Sequence, residues 1–236
     1  MGMISLLTSF WHACIGVPHC LLCHDYAHIS GLCRLCWHDM ANLQRTDTDL
    51  CPRCCGGRLS AGLCEQCQQQ WPFTALYASY RYAAPLQQML SAFKHQRQLA
   101  LLDTLAALML AQPPQWLEQV KIDAVLAMPL SRKRLFERGF NQSQLLATII
   151  ARHYALPVLR PDCVQRWYRP PQSTLKKSAR QRNVRGVFRF NQAVKKRNLL
   201  LIDDVVTTGA TITELARALK KSGVSRVYVW TLAHPE

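Results

Sequence analysis

Apolar residues fall in short blocks whose spacing changes along the chain. Leu199-Leu200-Leu201-Ile202 is a continuous apolar run ended by Asp203-Asp204, the pattern of a strand buried on both faces. Beyond it, Leu215, Ala218 and Leu219 recur at helical spacing, so strand, loop and helix meet at one point. Val125-Leu126-Ala127-Met128-Pro129-Leu130 predicts a second buried strand, followed by a basic loop from Ser131 to Gln142 and an amphipathic helix through His153. Ala75 to Tyr82 predicts a strand pair carrying Tyr77, Tyr80 and Tyr82. Leu86 to Phe93 and Leu99 to Ala111 predict helices, the second broken by Gln112-Pro113-Pro114. The predicted class is α/β, a parallel sheet flanked by helices. No apolar run approaches the roughly 18 residues of a membrane span.

Length and composition change this picture by adding a second unit. A chain of 236 residues with 49% hydrophobic composition supports one good core and a small accessory module. The expected division is 1–70 for the module and 71–236 for the large domain, with 71–122 as a hood over an acceptor and 123–236 as the ligand-binding core. The net charge of +15 is uneven: residues 1–70 carry four Arg against five Asp or Glu, whereas residues 71–236 carry 25 basic against nine acidic side chains. The large domain is therefore the part that seeks polyanions. Met1 to Pro18 lacks the basic start and small-residue cleavage pattern of a signal peptide, which predicts a cytoplasmic protein with reduced thiols.

Reduced thiols turn the cysteines into candidate metal ligands. Cys20-x₂-Cys23-x₉-Cys33-x₂-Cys36 is followed by Cys51-x₂-Cys54-x₉-Cys64-x₂-Cys67, displaced by 31 residues throughout, and Gly31-Leu32-Cys33 recurs as Gly62-Leu63-Cys64. Each CxxC turn places two sulfurs on one side, and two such turns complete a tetrahedral Cys₄ site suited to Zn²⁺. Segments this short cannot bury a core, so the metal supplies folding energy. Redox CxxC pairs, disulfides and an iron–sulfur cluster are the competing uses of the same residues. Two sequential zinc sites are favoured, and a cross-braced arrangement would use the same eight ligands. Both are closed structural sites without an open position for catalysis.

The loop after the diacid has the chemistry of a ribose 5-phosphate site. Backbone N–H groups of the loop, Ala210 included, and the positive end of the following helix suit a phosphate, with hydroxyls from Thr207, Thr208 and Thr211, and Gly209 permitting close approach. Carboxylates only accept hydrogen bonds, so Asp203 and Asp204 suit the 2′- and 3′-hydroxyls of a ribose. Four apolar residues, Asp-Asp, two apolar residues and Thr-Thr-Gly-Ala-Thr resemble the signature of type I phosphoribosyltransferases, which implies 5-phosphoribosyl 1-diphosphate (PRPP) as ligand, held with Mg²⁺. Arg132, Arg134 and Arg138, in the basic loop after the second strand, are placed to meet its pyrophosphate. Ligands in open parallel sheets sit beyond the carboxyl ends of the strands, where both loops face one crevice. Lys94-His95 could reach a site, although a surface pair is the favoured reading.

From Cys163 to Arg197 there are eleven Lys or Arg residues and no Asp or Glu. This arm, with Lys176, Lys177, Arg180, Arg182 and Arg185 at its centre, suits a lid closing over pyrophosphate. It equally suits a strip following single-stranded nucleic acid while Trp167, Tyr168, Phe188 and Phe190 stack on bases.

Together the cysteine quartets, Arg138-Gly139-Phe140-Asn141-Gln142, Arg180-x-x-Asn183-Val184-x-Gly186-Val187-Phe188 and the Asp203 to Thr211 loop resemble the ComF family over residues 20 to 232. The resemblance implies a double zinc ribbon joined to a type I phosphoribosyltransferase domain that acts in uptake or use of extracellular DNA. It further implies contact with single-stranded DNA and work beside a DNA-translocating helicase. The segment Arg166 to Pro171 departs from the family by lacking a Thr-x-x-Gln spacing. Whether such a domain transfers ribose 5-phosphate to a nitrogen acceptor, or binds PRPP without turnover, is not written in these motifs.

Overall fold

The structure is a computed structural model that describes residues 19–27, 30–45, 51, 71–168, 186–190, 195 and 197–235. In chain order its elements are α1 (Arg34–Ala41), β1 (Ala75–Arg81), α2 (Leu86–His95), α3 (Leu101–Ala111), β2 (Ala124–Ala127), α4 (Arg132–Arg138), α5 (Gln142–His153), β3 (Val164–Arg166), β4 (Phe188–Phe190), β5 (Asn198–Val205), α6 (Ala210–Lys221) and β6 (Arg226–His234). Expectations placed on Cys54, Cys64, Cys67, Lys176, Lys177, Arg180, Arg182 and Arg185 lie outside the described residues.

The apolar runs become strands of one sheet in the order β1-β6-β5-β2, every neighbouring pair parallel. Leu199 to Ile202 are fully buried at its centre, as are Val227, Val229 and Trp230 beside them. A continuous apolar strand is stable only when helices cover its faces. Helix α6 supplies Ile212, Leu215, Ala216 and Leu219, one stripe at helical spacing, and α5 supplies Leu146, Ala147, Ile150 and Ala151 against β2 and β5. Each large aliphatic side chain so buried stabilises the fold by roughly 1.5–3 kcal/mol. A separate antiparallel pair joins β3 to β4.

Residues 75–81 form one strand rather than the expected pair. Five consecutive buried residues, Leu76 to Tyr80, are satisfied by pairing with β6 and need no hairpin partner. The exposed edge of β1 is instead met by Leu43 to Arg45: Arg81 N–H donates to Leu43 O at 2.7 Å and Arg45 N–H to Ser79 O at 3.2 Å. Arg45 Nη1 also donates to the His234 carbonyl at 3.0 Å, so the amino-terminal segment closes an edge that would otherwise invite a foreign strand.

The basic stretch after β2 is likewise not a loop. Ser131 caps α4 by accepting from Arg134 N–H, and Gly139, at φ +85°, ends it in the left-handed conformation with its N–H on Leu135 O. Strand β2 stops at Ala127, before Met128 and Pro129, and α3 begins at Leu101 rather than Leu99. No helix among the described residues is long and apolar enough to cross a membrane.

Candidate ligand-binding site and metal centre

Strands β2 and β5 run side by side with Ala127 opposite Ile202, and Met128 N–H donates to Ile202 O at 2.8 Å. Their carboxyl ends therefore deliver the α4–α5 segment and the threonine loop to the same place, the crevice where parallel sheets bind ligands. An open cavity of about 180 Å³ lies there. That is many times the roughly 10–15 Å³ that one water needs, so the space is ligand-sized.

Thr207, Thr208, Gly209, Ala210 and Thr211 all line the cavity. Gly209, at φ +68°, is the N-cap of α6, and no side chain caps the helix there. Amides at the start of a twelve-residue helix are thus offered to the cavity, an arrangement that holds a phosphate.

Asp203 and Asp204 line the floor at the end of β5. Ser143 Oγ donates to Asp203 Oδ1 at 2.9 Å, and Asp204 N–H reaches the same oxygen at 3.0 Å. Burial first, and the neighbouring Asp204 charge second, push the Asp203 carboxyl up to about 7 despite the opposing pull of Lys94. Asp204 accepts from Val205 N–H at 2.8 Å through Oδ1, while Lys94 Nζ stands 2.7 Å from its Oδ2. Lys94 therefore belongs to the cavity and is not the surface residue its sequence context predicts. Ser143 had a legible signal, since it lies in the first turn of the helix that follows the basic stretch after β2; Lys94 had only a weak one, a lone cation pair at the end of a predicted helix.

The opposite charge comes from three arginines. Arg134, Arg138 and Arg166 line the cavity, and burial, followed by the charge of Arg134, lowers the pKa of Arg138 and Arg166 below the usual guanidinium range. Arg132 is exposed in the first turn of α4 and is not among the lining residues. Arg166 arrives from β3 through a parallel bridge between its backbone and Ser131, a contact no local pattern announces. Asn141 locks the corner: its side chain accepts from Ser143 N–H at 3.1 Å and donates to Met128 O at 3.0 Å.

In the amino-terminal module the structure gathers Cys20, Cys23, Cys33 and Cys36, all ligand atoms lying within 4.8 Å of one another. Sulfurs about 2.3 Å from a tetrahedral Zn²⁺ stand about 3.8 Å apart. Cys23 and Cys33 are separated by 3.6 Å, so the set fits a metal ion. Cys33 also caps α1, its sulfur accepting from Cys36 N–H at 3.4 Å. Burial opposes a Cys20 thiolate, but N–H groups of Cys23, Cys33 and Leu22 outweigh it and bring the thiol down to about 6, whereas burial and the three other sulfurs push Cys36 up. The quartet is the sequential one; Cys51 is buried, and its three repeat partners lie outside the described residues.

Among known proteins, the family model "Phosphoribosyl transferase domain" matches residues 141–235. The DNA utilization protein YhgH of Escherichia coli K12 is 30% identical over 209 residues, covering 86% of this chain and 89% of that protein. Competence protein F of Haemophilus influenzae is 31% identical over 229 residues, covering 91% and 96%, and competence protein ComFC of Bacillus subtilis is 27% identical over 202 residues, covering 80% and 79%. The glutamine PRPP amidotransferase of B. subtilis, solved with ADP and GMP, aligns over 54% of this chain and 25% of its own at 20% identity and a TM-score of 0.35.

Proposed function

This chain belongs to the ComF family of competence and DNA-utilisation proteins, and on that premise we propose that it binds PRPP with Mg²⁺ and serves the uptake or use of external DNA. The observation that carries the first half is the cavity itself: a diacid, an uncapped helix start with three threonines, and three arginines lie around one space. The helix start takes the 5′-phosphate, Asp203 and Asp204 take the ribose hydroxyls, and Arg134 and Arg138 take the pyrophosphate. Asp203, Asp204 and the pyrophosphate oxygens are the groups that would hold Mg²⁺, which supplies charge neutralisation there. Arg132 has no part in this assignment.

An exposed aromatic and basic surface formed by α4, the residues that follow β3, and β4 supports the second half. Phe136 is 89% and Trp167 57% exposed, Lys133 Nζ lies 4.4 Å from the centre of the Tyr168 ring, and the Arg189 guanidinium lies 5.6 Å from that of Trp167. Rings flanked by cations suit the bases and backbone of single-stranded DNA. Residues 1–70 then carry two structural Zn²⁺ sites and dock a partner such as a DNA-uptake helicase, while residues 71–236 carry the PRPP chemistry, all in the cytoplasm. Catalysis of ribosyl transfer is the second reading. It needs positioning rather than a side-chain nucleophile, and the cavity provides positioning.

Calorimetric titration with PRPP·Mg²⁺ tests the binding. The wild type should bind, and Asp203→Asn/Asp204→Asn should bind at least tenfold more weakly, since a charged hydrogen bond contributes about 1.5–3 kcal/mol. A wild type without heat or thermal shift overturns the proposal. Pyrophosphate release in a screen of nucleobases and ammonia would establish turnover.

A further inference from the structure

Two donors on the α2, α4 and α5 side of the cavity are positioned for acceptors that the protein does not fully supply. Gln142 is 2% exposed, and its Oε1 accepts from Arg138 Nη1 at 3.1 Å, which fixes the amide so that Nε2 is left buried without a partner among the described residues. A buried donor in that state is costly until an outside oxygen reaches it. Lys94 is the second. Its ammonium reaches across to Asp204 and is mostly buried there, at 18% side-chain exposure.

The end of α2 is fixed against the α4–α5 corner. Phe93 packs on Phe140 with centroids 5.4 Å apart, and Arg97 Nη2 donates to Glu137 O at 2.8 Å. Lys94 lines the same cavity as Asp203, Asp204, Arg134 and Arg138, and its ammonium touches the diacid at Asp204. Of the cations that line the cavity among the described residues, Lys94 is the one paired with a carboxylate that the ribose hydroxyls would require. Asp204 Oδ1 already accepts from Val205 N–H, so much of the acceptor capacity left for a sugar lies on Oδ2, the oxygen that Lys94 holds.

Resting on the PRPP assignment above, we propose that Lys94 is the residue that makes the cavity specific for the 1-diphosphate. Its ammonium leaves Asp204 for the diphosphate oxygens, beside Gln142 Nε2 and Arg138, and the carboxylate is released to the ribose hydroxyls. Breaking a buried ion pair is unfavourable unless a replacement anion arrives. PRPP brings that anion; ribose 5-phosphate brings the hydroxyls and the 5′-phosphate but nothing for Lys94. Arg134, Arg138 and Arg166 attract either ligand, while only the diphosphate completes the exchange.

The test is calorimetry of the full-length zinc-loaded protein with PRPP and with ribose 5-phosphate, each with Mg²⁺, on wild type, Lys94→Met and Lys94→Arg. The wild type should prefer PRPP by at least about 30-fold. Lys94→Met should weaken PRPP about 10- to 100-fold, leave ribose 5-phosphate equal or tighter, and shrink the preference at least tenfold, while Lys94→Arg keeps most of it. A purely structural role for Lys94 would move both affinities together. If Lys94→Met does not fold, Lys94→Gln, which is polar but carries no charge, takes its place with the same expected loss of preference. A wild type that binds PRPP while the preference survives loss of the ammonium overturns this inference alone, as does a wild type that binds both compounds equally. A wild type that binds neither overturns the PRPP assignment and this inference together.

Discussion

Asp203 sets the pH response of the cavity. In the unfolded chain its carboxyl ionises near 3.8, whereas burial and Asp204 hold it protonated up to about 7 in the folded protein. The folded state therefore retains a proton that the unfolded state has lost, and the stability from this group, complete below about pH 4, is lost as pH rises to about 7. Three pK units correspond to a ceiling of about 4 kcal/mol, and relaxation around the charge reduces what is measured. Asp203→Asn keeps an acceptor for Ser143 and removes the charge. Its melting temperature should exceed that of the wild type at pH 8, by the equivalent of roughly 1–2 kcal/mol, with the gain fading towards pH 4. A gain equal at both pH values would remove burial of charge as its cause. Gln142 makes the complementary case. Gln142→Glu keeps the acceptor for Arg138 and deletes the unpartnered donor. The ligand-free protein should not melt higher at pH 8, because the new oxygen is buried and charged, and it should bind PRPP at least about fivefold more weakly, since the variant lacks one donor of about 1 kcal/mol or more and repels the diphosphate. Unchanged PRPP affinity would show that Gln142 Nε2 does not face the ligand.

At the scale of elements, packing decides which residues of a motif matter. Gly31 is repeated in sequence as Gly62, which suggests a requirement of the knuckle alone. The structure supplies a further reason: Gly31 has φ +84°, and a Cβ there would stand 2.8 Å from Thr104 Oγ1 and 3.0 Å from Leu21 Cδ1. Thr104, on α3, donates to the Ser30 carbonyl, so the knuckle is docked directly on the helix layer of the large domain. Gly31→Ala should cost about 2 kcal/mol or more by combining backbone strain with a clash, visible as a lower melting temperature. Thr104→Ala in the same background should recover part of the loss by removing the clashing hydroxyl. Absence of any shift would mean that the knuckle is not docked in this way. Helix α4 makes the same point for arginines. Residues 134 and 138 lie four apart and share a face, whereas 132 is turned by about 200° from 134. A basic loop would have allowed all three to point inward; a helix allows two.

For the whole molecule, charge and metal are distributed so that each unit has a separate assay. Residues 71–236 carry almost all of the positive charge, and the rings of Phe136 and Trp167 are open to solvent. If DNA runs along this surface, two kinds of substitution should separate. Replacing Lys176, Lys177, Arg180, Arg182 and Arg185 by Ala should flatten the salt dependence of single-stranded DNA binding, by about 0.7 in log–log slope for each phosphate no longer neutralised. Phe136→Ala and Trp167→Ala should weaken binding by about 1–3 kcal/mol per base unstacked and leave the slope alone. Filter binding of an oligonucleotide between about 50 and about 300 mM salt distinguishes them, and salt-insensitive binding would remove the electrostatic account. Metal assay of the purified chain should return two Zn²⁺. Chelation should lower the melting temperature of the whole protein, because Leu43 to Arg45 and the Gly31 knuckle are bonded to β1 and α3. A chain that contains no metal and is insensitive to chelator would overturn the zinc sites.

The sequence by itself determined whatever is contiguous. The buried strand, diacid, threonine turn and helix are consecutive, so backbone connectivity alone places Asp203, Asp204 and Thr207 to Thr211 on one cavity. The first cysteine quartet is similarly local, two turns separated by nine residues, and it closes on itself. On the other wall Arg134 and Arg138 were legible as well, and only the tertiary structure decided the rest. Lys94 and Asp204 are 110 positions apart and meet because the end of α2 packs on the α4–α5 corner. Arg166 enters through the bridge at Ser131, and Arg132 is turned away by the helical phase of α4. The physical reason is range: hydrogen bonding and periodicity act over a few residues and leave a mark in the sequence, whereas a meeting made by packing depends on every element between its partners.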